Sequence, residues 1–136
     1  MRYFLAKTDP ETYSVDQLEK EKRTTWDGVN NPQAVRAIRE MRPGDVVFIY
    51  HSGGVSSIVG MAAVKSPPRD DLKSPKSAVV DLEFAGRLYP PVTLAEIKQS
   101  GKFNDWALVR QGRLSTMAVP EKFVTWMRVR YPTAKI

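Results

Sequence analysis

The sequence predicts an α+β domain, a small mixed β-barrel or sheet with short helices packed around it. Three observations carry that expectation. Two runs of β-formers, VVFIYHS at residues 46–52 and SIVGMAAVKS at 57–66, are joined by the flexible SGGVS. Helix-start signatures, Ser14 with Gln17 and Thr93 with Glu96, open short helices in distant parts of the chain. Strands and helices do not alternate as βαβα, which disfavours a doubly wound parallel sheet.

Taken in order, RYFLAK at residues 2–7 reads as an opening strand, and SVDQLEKEK as a charged helix capped by Ser14. TTWDGVN reads as a loop. Asn31 caps a helix whose first residue is Pro32, a position where a missing N–H costs nothing. In that helix Ala34, Ile38 and Met41 share one face, while Arg36, Arg39 and Glu40 lie off it. Gly44 supplies the turn into the central strand 46–52. Gly60, inside the next strand, marks a bulge or a close backbone approach. PPRDDLKSPKS reads as a Pro- and charge-rich loop within the domain. AVVDLEFAGRL then alternates as a half-buried strand does. TLAEIKQ is a short helix stopped near Gly101. Residues 108–119 hold a glycine turn leading to a strand, and Pro120 opens a closing helix with Phe123 and Met127 on one face.

The chain of 136 residues fits a single domain, 1–136, with enough length to bury a core. With 42% apolar and 26% charged residues, it is expected to be neither disordered nor membrane-embedded. MRYFLAKTDP lacks the apolar stretch of a signal peptide, so a cytoplasmic, bacterial-type protein is expected. Zero cysteines exclude disulfides and thiolate chemistry, and with His51 the single histidine, no metal or cofactor is expected. The net charge of +6 favours a polyanionic partner, though the same excess also serves plain solubility.

Catalysis finds little support. His51 and Ser52 are strand neighbours and point to opposite faces, so they form no direct pair. No phosphate-loop, nucleophile-elbow, zinc-helix or dinucleotide motif occurs. Binding is better supplied. Trp26-Asp27-Gly28 combines a stacking face, an acceptor and a flexible joint, and Asn31 and Gln33 carry amides able to read a base edge. Tyr50, His51 and Ser52 add a ring and further hydrogen-bonding groups, and Arg110 and Arg113 flank Gly112 within reach of a phosphate. Together these suggest nucleotides or unpaired bases. By composition and spacing alone, Trp26 is equally a loop residue plugging the core.

Five segments in order resemble the EVE domain family, of the PUA-like superfamily. Tyr3 to Pro10 is similar to its YWLMKSEP-type opening strand, and Trp26-Asp27-Gly28-Val29 with Asn31, Gln33 and Ala34 to its WDGVRNYQA loop. Gly44-Asp45 through Phe48 to Tyr50-His51-Ser52 resembles its GD…FFYHS strand. Ile58-Val59-Gly60 and Leu108 to Ser115 resemble its IVG and LVR-GRLS segments. The resemblance implies a PUA-like mixed β-barrel of five or six strands flanked by short helices, with a pocket at one end. It implies a non-catalytic reader of modified bases, chiefly modified cytosine in DNA, with the base flipped into an aromatic pocket. In the related YTH domains, readers of N6-methyladenine in RNA, a tryptophan corresponding to Trp26 stacks on the base.

On that basis the base pocket is expected from Thr8, Trp26, Asp27, Gly28, Val29, Asn31, Gln33, Tyr50, His51, Ser52 and Gly60. Phosphate contacts are expected from Lys7, Arg110, Arg113 and Ser115. The alternatives are a PUA-like domain that recognises modified or structured RNA, a small nucleotide-processing enzyme, or a protein-interaction domain. Two departures from the family pattern bear on ligand choice, Pro32 in place of a larger residue and a shorter stretch after Lys65. Thr8-Asp9 in place of Ser-Glu is a mild change that shortens the carboxylate by one methylene.

Overall fold

A computed structural model describes residues 1–136. Seven strands form one mixed sheet: β1 (Tyr3–Thr8), β2 (Arg23–Trp26), β3 (Val46–His51), β4 (Ser57–Val64), β5 (Arg69–Asp71), β6 (Ser74–Thr93) and β7 (Thr116–Ala118). Five helices accompany it: α1 (Val15–Glu21), α2 (Pro32–Glu40), α3 (Leu94–Gln99), α4 (Ala107–Arg110) and α5 (Glu121–Arg130). The strand order is β2-β6-β4-β3-β1-β7, with β5 pairing on β6. The α+β class is as the sequence predicts. The strands number seven, and the sheet coils without closing into a barrel, since no ladder joins β2 to β7.

Two segments read as loops are strands. TTWDGVN begins with β2, whose Trp26 lies opposite Val80. The charged stretch after Lys65 contains β5, folded back on β6 with Asp70 opposite Ala78. Both are short and carry almost no apolar alternation, so they owe their conformation to ladder bonds with the 20-residue β6.

Local signals placed four of the five helices; α4, which has no side-chain cap, begins in a stretch read only as a turn leading to a strand. Ser14 Oγ accepts the Gln17 N–H at 3.1 Å, and Asn31 Oδ1 accepts those of Gln33 and Ala34 at 2.9 and 3.2 Å. Thr93 and Glu96 form a reciprocal capping box. Ala34, Ile38 and Met41 are all buried, as their spacing requires.

The only parallel pair joins β1 to β3, register Thr8 to His51, and β7 flanks β1 antiparallel. β2 and β7 are the two ends of the strand order, yet Thr8 at the end of β1, Trp26 at the end of β2 and Ser115 just before β7 line one cleft. The core gathers Phe4, Phe48, Phe103 and Phe123, all essentially inaccessible. Phe123 of α5 meets Phe48 edge to face at 6.2 Å and Trp106 at 4.5 Å. The Trp106 indole N–H also donates to the Ala118 carbonyl at 3.0 Å. Trp106 and Trp126 thus belong to the α5 cluster, and Trp26 stands apart from them. No helix is long and apolar enough to cross a membrane.

Candidate functional site

The end of β1, the turn after it, and β2 with the loop that follows enclose a cleft of about 580 Å³. That is within the ordinary range for small-molecule sites, about 300–1,000 Å³. Of the residues expected at the site, Lys7, Thr8, Trp26, Asp27, Gly28, Val29 and Ser115 line it. Asp9, Thr12, Tyr13, Glu21, Thr24 and Thr25 line it as well, and sequence reasoning passed over them as site residues.

The geometry explains how these segments meet. Thr8 Oγ1 donates to the Tyr13 carbonyl at 2.7 Å, and the Tyr13 N–H donates to the Asp9 carbonyl at 2.9 Å, so the turn folds back over the strand end. Tyr13 then meets Trp26 edge to face, with ring centroids 6.0 Å apart and planes at 86°. Its hydroxyl donates to Glu21 Oε1 at 2.7 Å, fixing the ring against α1. Burial raises the Tyr13 pKa, the Thr24 hydrogen bond opposes that rise, and Glu21 adds to it.

Trp26 satisfies both readings of its position. At 8% exposure it is part of the core cluster, and what remains accessible borders the cleft. The half-buried Tyr13 contributes the second aromatic surface. Around the rings stand the carboxylates of Asp9, Glu21 and Asp27, the hydroxyls of Thr8, Thr12, Thr24, Thr25 and Ser115, and one ammonium. That ammonium, Lys7 Nζ, donates to the Gly112 carbonyl at 3.0 Å and lies 5.3 Å from the Tyr50 ring centroid. Partial burial lowers its pKa. Such a lining favours a flat ligand presenting N–H donors to carboxylates, and disfavours an anion inside the cleft.

The other expected residues lie elsewhere. Asn31 spends its side-chain oxygen on the α2 cap, and Gln33 borders a separate groove of about 310 Å³ between α2 and β7. Tyr50 is 2% exposed, a wall behind Lys7. His51 Nε2 accepts the Val15 N–H at 3.0 Å and so satisfies the first turn of α1. The Ser52 N–H donates to the Thr8 carbonyl at 3.0 Å, continuing the β1–β3 ladder. Gly60 is buried at a register shift of β4, where an added Cβ would stand 2.9 Å from the Gly86 carbonyl oxygen and 3.0 Å from Val15 Cγ2. Its missing side chain admits the sheet's own backbone, not a ligand. Arg110, exposed, lies 3.6 Å from Asp105, and Arg113 is exposed on the turn whose Gly112 carbonyl holds Lys7.

The overlooked residues left faint traces. Asp9 stands at the Ser-Glu position of the family's opening strand. Tyr13 and Glu21, eight apart across a helix start, show no periodic link, because their bond depends on the turn at 9–13. No group of three or more metal-ligating side chains is assembled.

The EVE domain family model matches residues 2–129. The chain belongs to the EVE domain family. This EVE domain is 26% identical to human thymocyte nuclear protein 1 over 156 residues, covering 88% of the chain and 69% of that protein. It is 32% identical to the rat protein over 124 residues, covering 71% and 55%. The chain therefore spans between 55% and 69% of the length of these relatives. Among solved structures, a hypothetical protein from Leishmania major superposes with a TM-score of 0.86 at 28% identity, covering 97% of each chain. A protein from Rhodopseudomonas palustris gives 0.86 at 32%, covering 93% and 90%. The human THYN1 protein in complex with 5-methylcytosine-containing DNA gives 0.86 at 22%, covering 96% and 97%, a likeness of fold.

Proposed function

We propose that this EVE domain is a non-catalytic nucleic-acid-binding module that takes one modified base, extruded from its strand, into the cleft. The observation that carries the reading is the corner formed by Tyr13 and Trp26 beside the Asp9, Glu21 and Asp27 carboxylates. A base inserted there packs against two rings at right angles and offers its exocyclic amine to an acidic acceptor. Cytosine presents such a donor at N4, and Asp or Glu accepting from it is the pairing its edge invites. The relative captured with 5-methylcytosine-containing DNA supports modified cytosine in DNA as the class of ligand.

The energetics are reasonable. Extrusion costs a few kcal/mol, and stacking returns roughly 1–3 kcal/mol per base. A buried methyl adds about 0.8 kcal/mol, so the remaining selectivity must come from the polar edge and the shape of the cleft. Lys7 and Ser115, on the lining of the cleft, and the exposed Arg113, on the turn that holds Lys7, are the groups that would meet a flanking phosphate. What supports binding over acid–base catalysis is that His51, the one histidine, is spent on α1.

The test is competition binding with matched oligonucleotides, DNA and RNA, carrying one 5-methylcytosine or none. Preference for the modified DNA strand, reduced by Tyr13→Ala and Trp26→Phe, is the expected result. Equal affinity for every strand would overturn the modified-base reading. Preference for the RNA would move the domain to the RNA-binding alternative, because contacts to the 2′-OH distinguish the two.

A further inference from the structure

We propose that the tip of the β5–β6 hairpin is a wedge that enters duplex DNA at the step from which a base is extruded. The proposal rests on the reading of the cleft as a base pocket and adds the element that opens the helix. Leu72, at the tip, is 100% exposed, so the fold gains nothing from its side chain. A tight turn ordinarily carries Gly, Asn, Asp or Ser at such a place. Apolar side chains placed between base steps take over the stacking that an unstacked base gives up.

Charge on the hairpin suits a polyanion. Its acids are engaged internally, Asp70 with Arg39 at 2.9 Å and Asp71 with the Lys73 backbone N–H at 2.9 Å. Lys73, next to Leu72, and Lys76, on the β6 arm of the hairpin, are exposed and make no ion pair. They are available to neutralise phosphates on either side of the inserted leucine.

The hairpin is also tied to the cleft. Arg69 pairs with Asp81 at 2.9 Å, and the buried Ser77 hydroxyl donates to the carbonyl of Val29, a cleft residue. Three residues after Ser77, Val80 lies opposite Trp26. Between Ser77 and the turn at Ser74 the β5–β6 pairing shifts register, with Asp70 opposite Ala78 and Asp71 opposite Ser74, so β6 bulges on its way to the tip. One continuous strand therefore carries the tip at one end and braces the cleft wall at the other.

The experiment compares wild type, Leu72→Ala and Leu72→Met on a single strand and on a duplex, each with one 5-methylcytosine. A 2-aminopurine next to that base reports unstacking by a rise in fluorescence. Leu72→Ala is expected to keep single-strand affinity and thermal midpoint, to lose about tenfold in duplex affinity, and to abolish the 2-aminopurine rise. Leu72→Met is expected to keep both. Unchanged duplex binding and fluorescence in Leu72→Ala would overturn the wedge alone. So would equal losses on single strand and duplex, which mark a plain apolar contact. Failure of the wild type to prefer the modified single strand would overturn the cleft reading, and the wedge with it.

Discussion

The Tyr13 ring stands perpendicular to the Trp26 indole, 6.0 Å away, and is held there by a 2.7 Å hydrogen bond from its hydroxyl to Glu21. The two rings have different structural duties, so substitutions should separate packing from recognition. Trp26→Ala removes a core side chain and should destabilise the fold by about 3–5 kcal/mol, measured by denaturant unfolding. Tyr13→Ala, from a half-buried position, should cost far less stability and weaken binding of the modified strand about tenfold, measured by titration. Tyr13→Phe removes the hydrogen bond to Glu21 Oε1 and should give an intermediate loss.

Recognition and attraction should also separate. Arg113→Gln is expected to weaken binding to all strands alike and to flatten the slope of log affinity against log salt by about 0.7–0.9. Asp27→Asn, which replaces an acceptor in the cleft lining, is expected to leave that slope less affected and to reduce preference for the cytosine edge. Affinities measured across a salt series read both quantities.

His51 makes a pH-dependent contribution. Its pKa is lowered first by burial, with Asp16 opposing and Arg87 adding to the shift. The folded state therefore prefers the neutral ring, whose Nε2 accepts the Val15 N–H. The associated stability is complete above the ordinary value near 6.5 and is lost as pH falls through the lower folded value. His51→Ala should cost about 1 kcal/mol at pH 8 and show less loss between pH 8 and pH 5 than wild type does, measured by denaturant midpoints.

Gly60→Ala should destabilise by about 1–3 kcal/mol, because the new Cβ would meet the Gly86 carbonyl oxygen at 2.9 Å within a sheet that cannot yield. Gly112→Ala, with nothing within 4 Å, should be nearly neutral. Thermal midpoints of the two variants check the contrast.

What was legible in the sequence was local. Asn31 before Pro32, and Thr93 before Glu96, announce helix starts because the capping atoms sit within three residues of their partners. The run 46–52 reads as a strand because β-branched and aromatic residues fill it. β2 and β5 were not legible, since Arg23-Thr24-Thr25 and Arg69-Asp70-Asp71 resemble any polar loop until β6 pairs with them. The cleft was half legible. Thr8, Trp26, Asp27 and Val29 fall on segments that the family resemblance marks, whereas Tyr13 and Glu21 enter through a turn whose bonds span few residues but no regular period. His51 and Gly60 stand in conspicuous motifs, but the one bonds the first turn of α1 and the other makes room for the β6 backbone.

The central claim is that a modified base enters the corner between Tyr13 and Trp26. The most direct measurement follows the three tryptophan indole N–H signals by heteronuclear NMR during titration with a short DNA strand carrying one 5-methylcytosine, against the same strand unmodified. Trp106 and Trp126 lie in the α5 cluster, so they serve as internal references. The account predicts that the Trp26 signal, assigned with Trp26→Phe, shifts with the modified strand and little with the unmodified one. A Trp26 signal that stays still, or moves equally with both strands, would contradict it.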